Sequence, residues 1–426
     1  MTCNTSIFDE KRNMLRWIIF LLVFAAIDIY AYQAFKTIFK HQWLPWVYFF
    51  VSLAVYGYFM YVFLNYDRSV GQTSKTLWAM GLFLLSFIPK LVLFFIMFGE
   101  DIVRVLVGGY NYITDNFFSG TSEKYLPSRR HFVSKIALGI AVIPFASLLY
   151  GIYKGRYNYK VLKYSLKFDD LPDAFDGFKL TQISDIHSGS FDDREKIEYA
   201  IDLINKQETD LILFTGDIVN TRAEEMNPWI DTLKRIKTPK FGKYSVLGNH
   251  DYGEYASWPS KEAKQVNFEA IKSIHNKIDF NLLLNENRFI EKDGERLALI
   301  GVENWGKKFK KAGDLEKAIS SVSSEDFKIL MSHDPSHWEY EVKSHKEHFH
   351  LTLSGHTHGL QFGIEIPGFF KWSPVQYVYK QWAGLYKEDN QYINVNRGFG
   401  YHAYPGRVGI WPEITVIELK KASDSA

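Results

Sequence analysis

The first third of this 426-residue chain carries four apolar windows of roughly 20 residues each, the length a helix needs to cross a bilayer. They lie at about 15 to 35, 43 to 66, 77 to 98 and 132 to 153. In hydrocarbon only helices and closed barrels satisfy their own backbone groups, so runs of this length and spacing imply an α-helical membrane domain of four transmembrane helices. Much of the 17% aromatic content falls here. Trp43, Trp46 and Tyr48 head the second window, where such rings gather at a membrane interface. The first window lacks a small-residue cleavage site and three more follow it, so it reads as a retained helix and not a signal peptide.

Four spans place the amino terminus, the loop near 67 to 75 and everything after residue 155 on one side of the membrane. That side has more flanking basic residues, including Lys11, Arg12, Arg16, Arg68, Lys154 and Arg156, than the other, whose long second loop near 99 to 131 carries Arg129 and Arg130. The positive-inside bias therefore predicts a multi-pass protein of the cell (inner) membrane with a cytoplasmic carboxyl-terminal domain. The single Cys3 excludes an internal disulfide and is compatible with a reducing compartment without requiring one. Asp28 and Lys90 fall at matching depths in the first and third windows, which predicts an ion pair inside the bundle; separate snorkelling is the alternative. With a net charge of +2 and acids interspersed among the bases after position 155, there is no basic track for a nucleic acid, and none is expected as a partner.

From Tyr157 the periodicity changes. Strand-like runs fall at 157–168, 178–184, 211–215, 244–247, 297–302, 328–332, 350–354, 392–396 and 414–419, with helical patterns between several of them. Arg194 to Gln207 is one, with Ile197, Ala200, Ile201 and Ile204 on one face. The alternation implies a mixed α/β sandwich. The expected organisation is a membrane domain over 1–155, a globular domain over 156–421 and a frayed tail over 422–426.

Five short runs carry the chemistry, each directly after an apolar, β-rich stretch: Ser184-Asp185-Ile186-His187, Gly216-Asp217, Gly248-Asn249-His250-Asp251, Ser332-His333-Asp334 and Gly355-His356-Thr357-His358-Gly359. Buried strands that end this way place their polar side chains where open α/β sheets bind ligands. Asp185 and His187, two apart in a turn, can reach one point, as can His356 and His358. Asp217 could bridge two ions with its two oxygens, with Gly216 letting the backbone approach closely. Alone it would read as a turn or cap aspartate. Asn249 offers a neutral oxygen, and His250 beside it would point elsewhere. Two imidazoles in one buried locality are costly unless metal or hydrogen bonds satisfy them.

In this order the five blocks resemble the calcineurin-like metallophosphoesterase superfamily, over roughly residues 160 to 420. The resemblance implies a four-layer α/β/β/α sandwich with its site at the carboxyl ends of the strands. It also implies one ion held by Asp185, His187 and His358, a second by Asn249, His333 and His356, and Asp217 bridging them. Mixed nitrogen and oxygen donors suit two divalent Mn, Fe or Zn ions. Such a pair would activate a shared water, as hydroxide, to attack a phosphoryl group in line. By the same resemblance His250 stabilises the transition state or protonates the leaving oxygen, and Asp251 could orient it. Asn220 stands where purple acid phosphatases have an iron-binding tyrosine, which argues against that subclass.

A nearer resemblance is to the membrane-associated bacterial branch that includes UDP-2,3-diacylglucosamine hydrolase-like enzymes. It rests on Tyr244 to Tyr252, Leu330 to Pro335, Ser354 to Gln361 and Asn396 to Gly400, with Leu360 standing where that branch usually has a second glycine and able to narrow the mouth of the site. Arg397 and Arg407, in the glycine-punctuated segment 396–409, could bind a substrate phosphate by paired donors or pair with acids such as Glu413. His337, His345, His348 and His350 read as a solvated face and a strand start. The implied function is hydrolysis of a phosphate ester or pyrophosphate bond, including that of a lipid-linked substrate at the membrane. The alternative is a transporter or membrane sensor whose phosphoesterase-like domain binds ligand without turnover.

Overall fold

The computed structural model describes residues 4–117, 127–366 and 368–422. Cys3, residues 118–126 of the second outer loop and residues 423–426 of the tail lie outside the described residues. The chain divides into two units, Met1–Leu64 with Ala79–Leu149, and Asn65–Trp78 with Tyr150–Ala426.

The first unit is built on α1 (Asn4–Ile38), α2 (Leu44–Leu64), α3 (Ser74–Phe117) and α4 (Pro127–Tyr153). All four are long and apolar enough to span a bilayer. Ala31 and Ala34 of α1, Leu93 and Met97 of α3, and Ala137 and Ala141 of α4 form its buried centre. Small residues at these positions let backbones approach closely, as packing within lipid favours. Asp28 and Lys90 do pair, at 2.6 Å. Lys90 also donates to Ser52 Oγ at 2.6 Å, and Tyr48 Oη donates to Asp28 Oδ1 at 3.0 Å. The pair is thus embedded in a polar cluster and does not snorkel.

Hydropathy alone ends the third helix near residue 98, yet α3 continues to Phe117. Glu100 and Asp101 do not break it because their charges are met along and beside the helix. Arg104, a turn later, lies 3.9 Å from each, and Arg130 bonds Asp101 at 2.7 Å. Arg130 is therefore an internal partner of the bundle, not an unpaired flanking charge.

The second unit contains fourteen described strands. In chain order they are β1 (Lys160–Phe168), β2 (Lys179–Ile183), β3 (Leu211–Phe214), β4 (Lys243–Ser245), β5 (Asn281–Leu282), β6 (Glu286–Lys292) and β7 (Glu295–Gly301). Then follow β8 (Phe327–Met331), β9 (Leu351–Ser354), β10 (Ile364–Ile366), β11 (Phe370–Trp372), β12 (Gly384–Glu388), β13 (Gln391–Val395) and β14 (Glu413–Lys421). They form two six-stranded mixed sheets, β1-β14-β2-β3-β4-β5 and β12-β13-β9-β8-β7-β6, and the separate hairpin β10-β11.

Alternation along the strands sets the layers. In β3, Leu211 and Leu213 face the second sheet, where they meet Leu297, Leu299, Ile329 and Met331. Ile212 and Phe214 face the other way, onto Ile197, Ala200, Ile201 and Ile204 of α5 (Arg194–Asn205). The far side of the second sheet presents Ala298, Ile300, Leu330 and Ile393 to Leu315 and Trp338. The result is helix, sheet, sheet, helix. Asp193 starts α5 by accepting the Lys196 N–H, which satisfies one of the unpaired donors of a first turn.

The two units divide between Leu149 and Tyr150, and the link Asn65–Trp78 belongs with the sandwich. Leu77 is buried in its core, and Gln72 donates to Ser190 Oγ at 3.1 Å while accepting the Ala403 N–H at 2.9 Å. The link between α2 and α3 is therefore packed as part of the sandwich.

Candidate metal centre

The carboxyl ends of β2, β3 and β4 in one sheet and of β8 and β9 in the other carry the five polar runs. Asp185, His187, Asp217, His356 and His358 all have left-handed backbone, with φ between 48° and 71°. Non-glycine residues held there cost of order 1 kcal/mol or more each, and such strain clusters where function requires it. Gly248 leaves room for one of these turns, since a Cβ there would lie 2.2 Å from Asp217 Oδ1.

The side chains converge. His358 Nε2 lies 3.2 Å from Asp185 Oδ1, His187 Nε2 lies 3.6 Å from Asp217 Oδ2, and His333 Nε2 lies 3.1 Å from the same Asp217 oxygen. His356 Nδ1 is 2.7 Å from Asn249 Oδ1. Two sets of donor atoms within 4.8 Å of one another result, Asp185 with His187 and His358, and Asp217 with His333 and His356. All seven expected ligands are thus brought together, with Asp217 between the two sets.

The donor nitrogens are fixed by their partners. His333 Nδ1–H donates to the Thr215 carbonyl at 2.7 Å, His187 Nδ1 lies 3.0 Å from Asn220 Oδ1, and His356 Nε2 lies 2.8 Å from Tyr379 Oη. Metal-binding histidines are oriented in this way through the nitrogen that does not bind. Burial holds His187, His356, His250 and His402 below the usual imidazole range and hence neutral, the form a cation needs. Burial opposes the charge of Asp217, but the His333 imidazole, which this carboxylate raises to about 10 against its own burial, outweighs it and holds the carboxyl well below its usual range.

These residues fit cations. Asp185 and Asp217 are almost fully excluded from solvent, and a buried carboxylate needs a compensating charge. His333 Nε2 is buried and makes no hydrogen bond of good geometry among the described residues. Imidazole and carboxylate donors in two adjoining sets are the chemistry of divalent metal ions.

His250 is differently placed. Its backbone N–H donates to Asp217 Oδ1 at 2.8 Å, and its Nδ1–H donates to the Asn220 carbonyl at 2.7 Å, which leaves Nε2 for other work. Asp251 does not orient that ring. Its carboxylate accepts the backbone N–H groups of Gly248, Ile218 and Asp217 at 2.8, 2.9 and 3.0 Å, so it ties the β3 and β4 turns together. Neither arginine presents its guanidinium to a substrate. Arg397 is clamped between Glu413 and Glu365, the pairing its sequence position left open. Arg407 is fully buried, donating to the Gly400 carbonyl at 3.0 Å, with an NH2 group 3.2 Å from His358 Nδ1. Of the remaining histidines, His337 is buried against Trp305 and so belongs to no solvated face, while His350, buried against Phe327, stands at the start of β9.

Sequence reasoning missed His402. Its ring centroid lies 4.6 Å from that of His250 and 4.9 Å from that of His187, and its Nδ1 is 3.2 Å from Asn220 Oδ1. His187, His250 and His402 form a third set of donor atoms within 4.8 Å. The signal was its place in the glycine-punctuated segment where only the arginines stood out. Tyr255 was also missed; it stacks on His250 at 4.2 Å and accepts from Asn249 Nδ2 at 2.7 Å.

Comparison with known proteins agrees with this arrangement. Residues 178–360 match the family "Calcineurin-like phosphoesterase", and residues 15–156 match "Probable Calcineurin-like phosphoesterase, transmembrane domain". A Bacillus subtilis protein described as "Uncharacterized metallophosphoesterase YkuE" is 30% identical over 277 residues, covering 64% of this chain and 90% of that one. The chain belongs to the calcineurin-like metallophosphoesterases. A zebrafish "Transmembrane protein with metallophosphoesterase domain" is 27% identical over 282 residues, 64% of this metallophosphoesterase and 60% of that protein. A Helicobacter pylori "Uncharacterized metallophosphoesterase" is 28% identical over 309 residues, 71% of this chain and 76% of that one. The four apolar helices and these relatives make it a membrane protein.

Proposed function

We propose that this metallophosphoesterase is a membrane-anchored phosphoric ester hydrolase that uses two divalent ions, with its catalytic domain over residues 156–421 on the cytoplasmic face of the inner membrane. The observation that carries the reading is the convergence of the seven expected ligand side chains from five strand ends, five of them on left-handed backbone. Asp185, His187 and His358 would hold one ion, Asn249, His333 and His356 the other, and Asp217 would bridge. Two such ions supply an acidified water and neutralise charge on the phosphoryl group.

The chain's own groups do the rest. His250, held through Nδ1 by Asn220, offers Nε2 to the phosphoryl or leaving oxygen and can hold a proton there. The His402 ring beside it closes one flank of the site and Tyr255 the other, which keeps water from most of the His250 ring. Asp251 keeps the turn that presents Asp217 and His250 in place. The substrate is a phosphate ester or pyrophosphate, with lipid-linked and UDP-sugar-lipid classes first because the site belongs to a membrane protein.

Purified full-length protein should be screened with phosphodiesters, sugar nucleotides and lipid phosphates in the presence of Mn, Fe or Zn. Metal-dependent hydrolysis that disappears in Asp217→Ala and His250→Ala supports the proposal. Activity equal to wild type in both variants, or binding without turnover across the panel, overturns it.

A further inference from the structure

The β10–β11 hairpin is inside out. Its register pairs Ile364 with Trp372, Glu365 with Lys371 and Ile366 with Phe370. The polar pair faces the protein, where Glu365 bonds Arg397 and Lys371 donates to the Ala383 carbonyl and Tyr386 Oη. Ile364, Ile366 and Phe370 face outward and are exposed, and Phe369 at the turn is 86% exposed. Alternation on a sheet normally turns the apolar side inward, and a contiguous apolar patch left outside marks an interaction surface.

Leu360, four residues before the hairpin, is a further exposed apolar side chain. It is 54% exposed and holds left-handed backbone at φ 50°, a conformation free for glycine and strained for leucine. Tyr377, five residues after Trp372, is exposed as well, and two residues on Tyr379 touches the expected ligand His356.

The hairpin's root identifies what covers it. The apolar run of α4 ends at Tyr153, followed by the charged Lys154 and Arg156, so its last turn marks a bilayer surface. That turn belongs to the sandwich unit. The Gly151 carbonyl accepts the Arg407 N–H at 3.2 Å, and a Cβ on Gly151 would lie 2.8 Å from Val408 Cγ2. Val408 in turn donates to the Gln361 carbonyl at 2.8 Å and accepts the Gly363 N–H at 2.9 Å. One short segment therefore joins the point where the chain leaves the membrane to the first strand of the hairpin.

We propose that the hairpin, with Leu360 and Tyr377, is seated in the interfacial layer of the phospholipid bilayer that holds the four helices. Resting on the phosphoesterase reading, this surface lets a phosphorylated amphiphile reach the metal centre past Tyr379 without leaving the lipid.

The test uses the full chain with Cys3→Ser in phosphatidylcholine nanodiscs and a single bimane-labelled cysteine at Phe369→Cys. Ile366→Cys serves as a second site should the first variant fail to accumulate. Asp293→Cys is the comparator; its side chain is 75% exposed on the β6–β7 turn, at the strand ends opposite the centre. Doxyl groups high on the lipid acyl chain should quench the label at 369 or 366 severalfold more than at 293, with a blue-shifted emission. Quenching no greater than at 293 overturns the proposal. So does shielding without lipid quenching that appears only in discs holding two copies, which would assign the patch to a second copy of the chain. The readout involves no hydrolysis, so an inactive enzyme with a quenched label would sink the catalytic reading and leave this surface standing.

Discussion

Gly355→Ala should disable the centre without altering a ligand. Gly355 starts the turn after β9, and its φ lies outside the left-handed region, so alanine brings no backbone strain there. A Cβ would stand 1.9 Å from Ser184 Oγ and 2.2 Å from Asp185 Oδ2. Ser184 Oγ would have to retreat by about 1.5 Å and Asp185 Oδ2 by about 1.2 Å to reach ordinary contact, whereas a metal site tolerates about 0.2 Å. Asp185 cannot swing away freely, because both of its oxygens accept the His356 N–H at 3.0 Å. The displacement should lower affinity for the ion on Asp185, His187 and His358 by about 10- to 100-fold and hydrolysis by about 100-fold. Overpacking should cost about 1–3 kcal/mol of stability. Titration of metal-free protein with Mn by calorimetry, beside a thermal melt, separates the two effects. Gly294→Ala is the comparator, since that residue has φ +87° and no atom within 4 Å of its Cβ, so it brings strain but no contact with the centre. If Gly355→Ala binds metal as tightly as wild type, the proposed place of Asp185 is wrong.

Three other outcomes are expected. Asn220→Ala, which frees the Nδ1 side of His187 and also leaves Ser190 and His402 short of a partner, should weaken metal binding by about 10- to 100-fold and cost about 1–3 kcal/mol of stability; unchanged affinity would remove Asn220 from the support of the site. Asp28→Lys and Lys90→Asp should each lose about 3–5 kcal/mol by leaving a buried charge unpaired, and the double reversal should restore accumulation in membranes; no rescue would count against the pair. His275 is buried with its Nδ1 2.8 Å from Ser245 Oγ, and burial pulls its ring down to about 3. The unfolded chain takes up that proton near the ordinary imidazole value while the folded chain refuses it, so wild type should lose about 2 kcal/mol between pH 6.5 and 4.5. His275→Gln should lose correspondingly less in denaturant unfolding over that range, and equal losses would refute the argument.

The five ligand runs were legible because a metal centre at strand ends demands particular residue types directly after apolar stretches, and little else in a sequence looks like that. The layers were legible for a related reason: Leu211 to Phe214 has to divide between two faces. The extension of α3 was not, since hydropathy falls at Glu100 while the helix is carried on by side-chain pairing with Arg104 and Arg130. The short β5 and the polar edge strand β6 leave no apolar run to read. His402 and Asp251 illustrate a different limit. One reaches the site from a loop distant in sequence, and the other spends its carboxylate on backbone amides that no motif reveals. Ile364-Glu365-Ile366 falls in none of the strand-like runs, and only the position of Arg397 shows that its polar side is the inner one.

The central claim is that one chain holds two ions between two sets of ligands that share Asp217. Metal content per chain, measured on purified full-length protein together with hydrolysis of the best substrate in the same sample, tests it most directly. The account predicts two ions per chain, activity that rises with the second ion bound, and loss of both ions' tight binding in Asp217→Ala. A fully active protein holding a single ion, or an Asp217→Ala variant that keeps both, would contradict it.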